Sequence, residues 1–152
     1  HRLGQIVFSS LDPMEGKGRE LTRASVNFRS DQDDWDLSPD GTHVAIAVNS
    51  EGADGHIKIL SLKDGDARDL ILKDHAGLQS MDWAPDGKGM YISDRTAWGA
   101  DLLYVDVHGE ATVLRQQLGS FITWGVPSPN GEHLAILEWS AAGSVWLQSE
   151  SE

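Results

Sequence analysis

Three segments, Ser38-Pro39-Asp40-Gly41, Ala84-Pro85-Asp86-Gly87 and Ser128-Pro129-Asn130-Gly131, recur at spacings of 46 and 44 residues. A fixed period limits the fold severely, because each repeat must then be one supersecondary unit that buries its apolar face against the next. The similarity extends past the turn. Each glycine is followed by an apolar run: Val44-Ala45-Ile46-Ala47-Val48, Met90-Tyr91-Ile92 and Leu134-Ala135-Ile136-Leu137. A second run follows at a matching offset: Ile57 to Leu62, Leu102 to Val107 and the shorter Val145-Trp146-Leu147, with Ile6 to Leu11 of the same shape near the N-terminus. A glycine with leucine five residues on marks a further strand at Gly16 and Leu21, Gly65 and Leu70, and Gly109 and Leu114.

With the strands labelled a to d, the chain reads c-d, a-b-c-d, a-b-c-d and a-b-c, thirteen short strands in all. The runs are β-branched or aromatic, are punctuated by Gly, Pro and Asp, and show no helical period of useful length. A period near 45 is the length of a four-stranded propeller blade. The expectation is an all-β chain of β-propeller blades, each of four antiparallel strands, about three blades per chain and almost no helix. Residues 1–152 then form one partial propeller: strands c and d of a preceding blade at 1–25, blades at 26–73 and 74–117, and a last, incomplete blade at 118–152. In the S-P-D-G turn, Pro39 presets φ for the second position, Asp40 tolerates the third, and Gly41 takes positive φ as the chain reverses. Its role is structural.

Composition removes several function classes. Lys and Arg number 12 against 24 Asp and Glu, a net charge of −12. Neutralising a nucleic-acid backbone or an anionic membrane needs clustered cations, so neither is an expected partner. The chain has no cysteine, which excludes a disulfide framework, a thiolate metal site and a thiol nucleophile. Its longest aliphatic run, Val44 to Val48, is far short of a membrane helix of ~20 residues. The start at His1, with no Met or signal-peptide pattern, reads as an excised or processed piece.

Trp35-Asp36-Leu37-Ser38-Pro39-Asp40-Gly41 with its following runs, and likewise Met81-Asp82-Trp83-Ala84-Pro85-Asp86-Gly87, resemble the TolB-like, WD-repeat-like β-propeller family over nearly the whole chain. Ala84 to Asp106 and Val126 to Trp146 look like the C-terminal propeller of bacterial serine/threonine kinases and winged-helix regulators of acidobacterial type. That resemblance implies a sensor or protein-interaction module in a periplasmic or exported setting, and implies no catalytic residues. Trp35-Asp36 lies before the turn, whereas the WD signature ends strand c, so the WD hydrogen-bond network is not carried over.

Propellers close with four or more blades, so an arc of three leaves two blade faces open. Either a longer propeller covers them, or copies of this chain complete one another as a dimer of six blades, with Val145 to Leu147 left surplus or competing with Ile6 to Leu11 for one position.

Loops between strands b and c and between d and a share one propeller face, where recognition residues vary without disturbing the scaffold. Candidate partner-binding residues on that face are Arg95, Trp98, Asp33, Asp34, His75 and Trp139. Exposed Trp and Arg are favoured interface anchors, which singles out Arg95 and Trp98. The commoner behaviour of Trp98 would be to fold back over its own hairpin. Trp35, Trp83, Trp124 and Trp146 are expected in inter-blade packing, while Trp139 fits either role. Asp31 to Asp34 fails the EF-hand pattern because Trp35 takes the third ligand position, so a solvated or turn-capping loop is preferred to a calcium site. The six histidines are scattered, and no hydrolase elbow, Walker loop or dinucleotide fingerprint opens a helix. No metal, cofactor or catalytic residue is assigned. The expectation is a non-enzymatic scaffold whose partner is another protein, a ligand or a second copy. The alternative is a propeller accessory to an enzyme such as a prolyl-oligopeptidase-like serine peptidase.

Overall fold

The computed structural model describes residues 2–12, 14–28, 34–48 and 54–140. Among them are twelve strands and no helix: β1 (Arg2–Leu11), β2 (Gly18–Phe28), β3 (Trp35–Leu37), β4 (His43–Val48), β5 (Gly55–Ser61), β6 (Ala67–Leu72), β7 (Leu78–Trp83), β8 (Gly89–Arg95), β9 (Gly99–Asp106), β10 (Ala111–Leu118), β11 (Ser120–Pro127) and β12 (Leu134–Ser140). They form four antiparallel sheets in chain order, β1-β2, β3-β4-β5-β6, β7-β8-β9-β10 and β11-β12. The expected propeller blades are therefore present, two complete and two represented by halves. Strand β2 runs on to Phe28, past the boundary drawn at residue 25. The strand expected at Val145 to Leu147 lies outside the described residues.

The S-P-D-G turns create this order. In the first, Gly41 N–H donates to the Ser38 carbonyl (2.8 Å), the Ser38 hydroxyl donates to Asp40 Oδ1 (2.7 Å) and accepts from His43 N–H (2.9 Å), and Gly41 sits at φ 69°. Three hydrogen bonds thus close within six residues, and β4 leaves in register with β3. The Asp40 carboxyl is lowered to about 2, first by the Ser38 hydroxyl and then by the hydroxyl and N–H of Thr42. Gly87 and Gly131 repeat the positive φ, and Ser128 with Asn130 repeats the side-chain bonds.

The run Val44 to Val48 is apolar at successive positions because its sheet is covered on both faces. Ala45 and Ala47 join Ile57, Ile59, Leu70 and Leu72 in one core with Met81, Trp83, Met90 and Ile92 of the next blade. Val44, Ile46 and Leu60 point the other way and pack with Ile6 and Phe8 of β1. Trp83 is buried between blades, as expected for it, and donates its indole N–H to the Asp36 carbonyl. Trp35 and Trp124 depart from the expectation of inter-blade burial: both stay exposed, Trp35 against the edge of Phe8. Trp146 lies outside the described residues.

Adjacent complete blades are also joined by carboxylates. Asp34 Oδ2 accepts from Met81 N–H and Asp36 Oδ2 from Trp83 N–H, both at 2.8 Å. These N–H groups lie on the inner edge of β7, which has no strand partner there, so the acids satisfy donors that packing would otherwise leave unpaired. At the next interface the position equivalent to Trp83 is Pro127, which has no N–H. Asp82 accepts the Trp124 indole N–H instead. Burial pushes the Asp82 carboxyl above the usual carboxylate range; the Trp124 bond opposes this and the nearby Asp36 and Asp34 charges add to it.

Candidate functional site at the β8–β9 hairpin

The β8–β9 hairpin closes on Thr96. Its hydroxyl donates to the Gly99 carbonyl and accepts from the N–H groups of Trp98 and Gly99, while Thr96 N–H donates to the Gly99 carbonyl at 2.8 Å. With its backbone fixed this way, Trp98 does not fold back over the hairpin: it is 79% exposed. The link from β10 to β11 locks onto the same hairpin. Gly119 N–H donates to the Trp98 carbonyl at 2.9 Å, and the backbones approach so closely that a Cβ on Gly99 would lie 2.0 Å from the Gln117 carbonyl oxygen. That contact requires glycine.

Between hairpin and link lies an open cleft of ≈ 200 Å³ whose walls include Arg95, Ala97, Trp98, Ser120 and Phe121. The Arg95 guanidinium carbon stands 5.9 Å from the centre of the Phe121 ring, within cation–π range. Phe121 in turn meets Trp139 at 6.3 Å between ring centres. Arg95 forms no ion pair among the described residues, so its charge faces solvent and one aromatic ring.

A second set of bonds steadies Arg95 from below. Asp94, which is buried, accepts from Gly77 N–H at 2.9 Å and pairs with His75 Nδ1 at 2.7 Å, and Arg95 N–H donates to the Gly77 carbonyl at 2.7 Å. Burial raises the Asp94 carboxyl above its ordinary value, and the His75 hydrogen bond works against that rise.

Of the sequence candidates, Arg95, Trp98 and Trp139 come together around Phe121, and His75 seats the loop beneath them. Asp34 is placed elsewhere: its carboxylate is committed to Met81 N–H on the inner strands. Asp33 lies outside the described residues. Phe121 and Asp94 were not singled out from sequence. Nothing in a lone Phe or Asp announces such a role. Larger grooves of ≈ 550 and ≈ 530 Å³ open between neighbouring S-P-D-G turns on the opposite face. They recur with the repeat, one between Pro39 and Pro85 and one between Pro85 and Pro129, and so are products of blade stacking. The cleft at Trp98 uses residues particular to one blade. Among the described residues, no group of three or more His, Asp or Glu is arranged to hold a metal ion.

Comparison with solved structures finds the same architecture. TolB from Acinetobacter baumannii superposes with a TM-score of 0.65 at 16% identity, covering 91% of this chain and 36% of TolB. A prolyl endopeptidase gives 0.59 at 16% identity, with 91% and 25% covered, and the periplasmic gluconolactonase of Pseudomonas aeruginosa gives 0.57 at 14%, with 97% and 52% covered. No family model and no curated protein matches the chain. At these identities the likeness is one of fold, a TolB-like β-propeller, and the chain spans about a third of the length of TolB.

Proposed function

We propose that this TolB-like propeller arc is a non-enzymatic recognition scaffold, with Arg95, Trp98 and Phe121 as the contact surface for a protein partner or ligand. The observation that carries the reading is Trp98, held outward by a hairpin pinned on both sides. A rigid aromatic beside a guanidinium with no ion pair among the described residues offers contact area at little conformational cost, which is the chemistry of interface hot spots. A sensor module attached to a kinase or winged-helix domain, in a periplasmic or exported setting, is the role that the sequence resemblance supports.

The test compares the wild-type chain with an Arg95→Ala/Trp98→Ala variant as immobilised bait. Partners retained by the wild type and lost from the variant, at an unchanged melting temperature, support the reading; identical capture contradicts it. A second reading, a propeller accessory to a prolyl-oligopeptidase-like peptidase, is favoured by the endopeptidase among the fold neighbours. A hydrolase domain encoded in the same reading frame decides for it.

A further inference from the structure

Met81 and Trp83 on β7 correspond, one repeat on, to Trp35 and Leu37 on β3. Met81 and Trp83 are 2% and 6% exposed; Trp35 and Leu37 are 54% and 45% exposed. The cause is local. The sheet β3–β6 lies against β7 and covers it, whereas the two-stranded β1-β2 covers only the part of the next sheet around Val44, Ile46 and Leu60. Trp35 pairs directly with Ile46 and Leu37 with Val44, so they belong to that same face and form its uncovered half.

At the other end, Ile122, Trp124 and Val126 of β11 stand opposite Trp139, Leu137 and Ala135 of β12. These six apolar residues share one face. Its reverse carries Thr123 and Gly125, which pack on Ser93 and Leu102 of the preceding blade. Ala135 and Leu137 occupy the repeat positions of Ala45 and Ala47, which are fully buried in the complete interface. The molecule therefore carries the two sides of one blade-to-blade interface on opposite ends of its arc.

We infer that a second copy of this chain supplies the missing half: the edge of β12 that is unpaired among the described residues pairs with the corresponding edge of β1 from the second copy, making a four-stranded blade β11-β12-β1-β2. The register follows from the complete blades. The carbonyl of Asp12 accepts from Gly16 N–H as Ser61 does from Gly65 and Asp106 from Gly109, the last across a turn one residue shorter; aligning these acceptors sets Phe8 with Ile57 and Leu102, and Ile6 with Gly55 and Ala100. In the complete blade Leu102 opposes Ser93 and Ala100 opposes Arg95. Leu137 then opposes Phe8 of the second copy and Trp139 opposes its Ile6, apolar against apolar. The new face is continuous with the established contact of Ile6 and Phe8 on Val44, Ile46 and Leu60, and it covers Trp35 and Leu37 of the second copy.

The polar groups fit as well. Asp34 and Asp36 latch the next blade, but the equivalent positions on β11 are Trp124 and Val126, which cannot. The N–H groups such a latch would serve, on Trp35 and Leu37, are already satisfied by Asp34 Oδ1 (3.0 Å) and Asp36 Oδ1 (2.7 Å). An apolar face can therefore close over them without leaving a donor unpaired. Two copies related by a twofold axis make the contact twice and form a ring of six blades.

The chain's lack of cysteine makes the test direct. Light scattering across a concentration series is expected to give twice the chain mass. The variant Ile136→Cys/Ser9→Cys, placed opposite each other by this register, should form an intermolecular disulfide under mild oxidation. Leu137→Arg, at a position exposed in the single chain, should halve the mass while the far-ultraviolet spectrum stays unchanged. A monomer at all concentrations, as expected if residues 145–147 or blades of a longer chain take that position, overturns the inference. So does equal cross-linking through a control pair, Ile136→Cys/Thr112→Cys.

Discussion

The complete blades and the two-stranded sheets that flank them come from one repeat, yet the same positions behave oppositely in the two. Ile92 on β8 is fully buried, while its counterpart Ile136 on β12 is exposed; Trp83 is enclosed, while Leu37 faces solvent. Local sequence does not cause the difference, since both members of each pair are apolar and lie in strands of the same register. Leu37 lacks a sheet over its face, while Ile136, opposite Gly125 on the packed face, lacks the third strand that β9 gives Ile92 among the described residues. In a stacked repeat, a residue's burial is a property of the interface, and stability is carried by nearest-neighbour contacts.

The largest effect expected to sharpen this comparison comes from paired truncations. Ile92→Ala should cost about 2–5 kcal/mol, the range for deleting a buried aliphatic side chain, whereas Ile136→Ala should stay within about 1 kcal/mol at concentrations where the chain is single. Urea unfolding monitored by Trp fluorescence reads both, and equal losses would erase the distinction between whole and half blades. Next in size is the latch. Asp36→Ala leaves the Trp83 N–H unpaired at the interface of the two complete blades and should cost about 1–3 kcal/mol. Asp82→Ala, whose partner is the indole of the exposed Trp124, should cost less.

A smaller effect follows from pH. The folded Asp40 carboxyl lies below its ordinary value, so its contribution is complete above the unfolded value near 3.8 and is lost as pH falls toward about 2. Acid unfolding of wild type and Asp40→Asn should therefore converge across that window, with the difference seen only above it. The smallest expected change is in Trp98→Ala, which should alter stability by no more than about 0.5 kcal/mol while removing partner binding. A large loss of stability there would mean that Trp98 is a packing residue after all.

How far the sequence foretells this molecule follows the same division. The S-P-D-G turns, the apolar runs and the Gly-Leu markers are local signals, and they lead directly to the strand order and the two four-stranded sheets. The exposure of Trp35 and Trp124 was not legible, because a tryptophan in a strand reads the same whether or not a neighbouring sheet lies over it. The candidate site divides likewise. Arg95 and Trp98 stand out by residue type in a hairpin loop. Phe121 and the Asp94–His75 pair act through contacts across 17 or more residues that no local pattern encodes. Asp34 looked like part of a solvated acidic run, and its partner lies 47 residues away.

Whether the two ends of the arc are halves of one interface is tested most directly by amide hydrogen exchange at low and high protein concentration. Peptides covering β1 and β12 should gain protection as concentration rises, while those covering β4, β5, β8 and β9 stay equally protected throughout. Exchange in β1 and β12 that is fast and independent of concentration would contradict it.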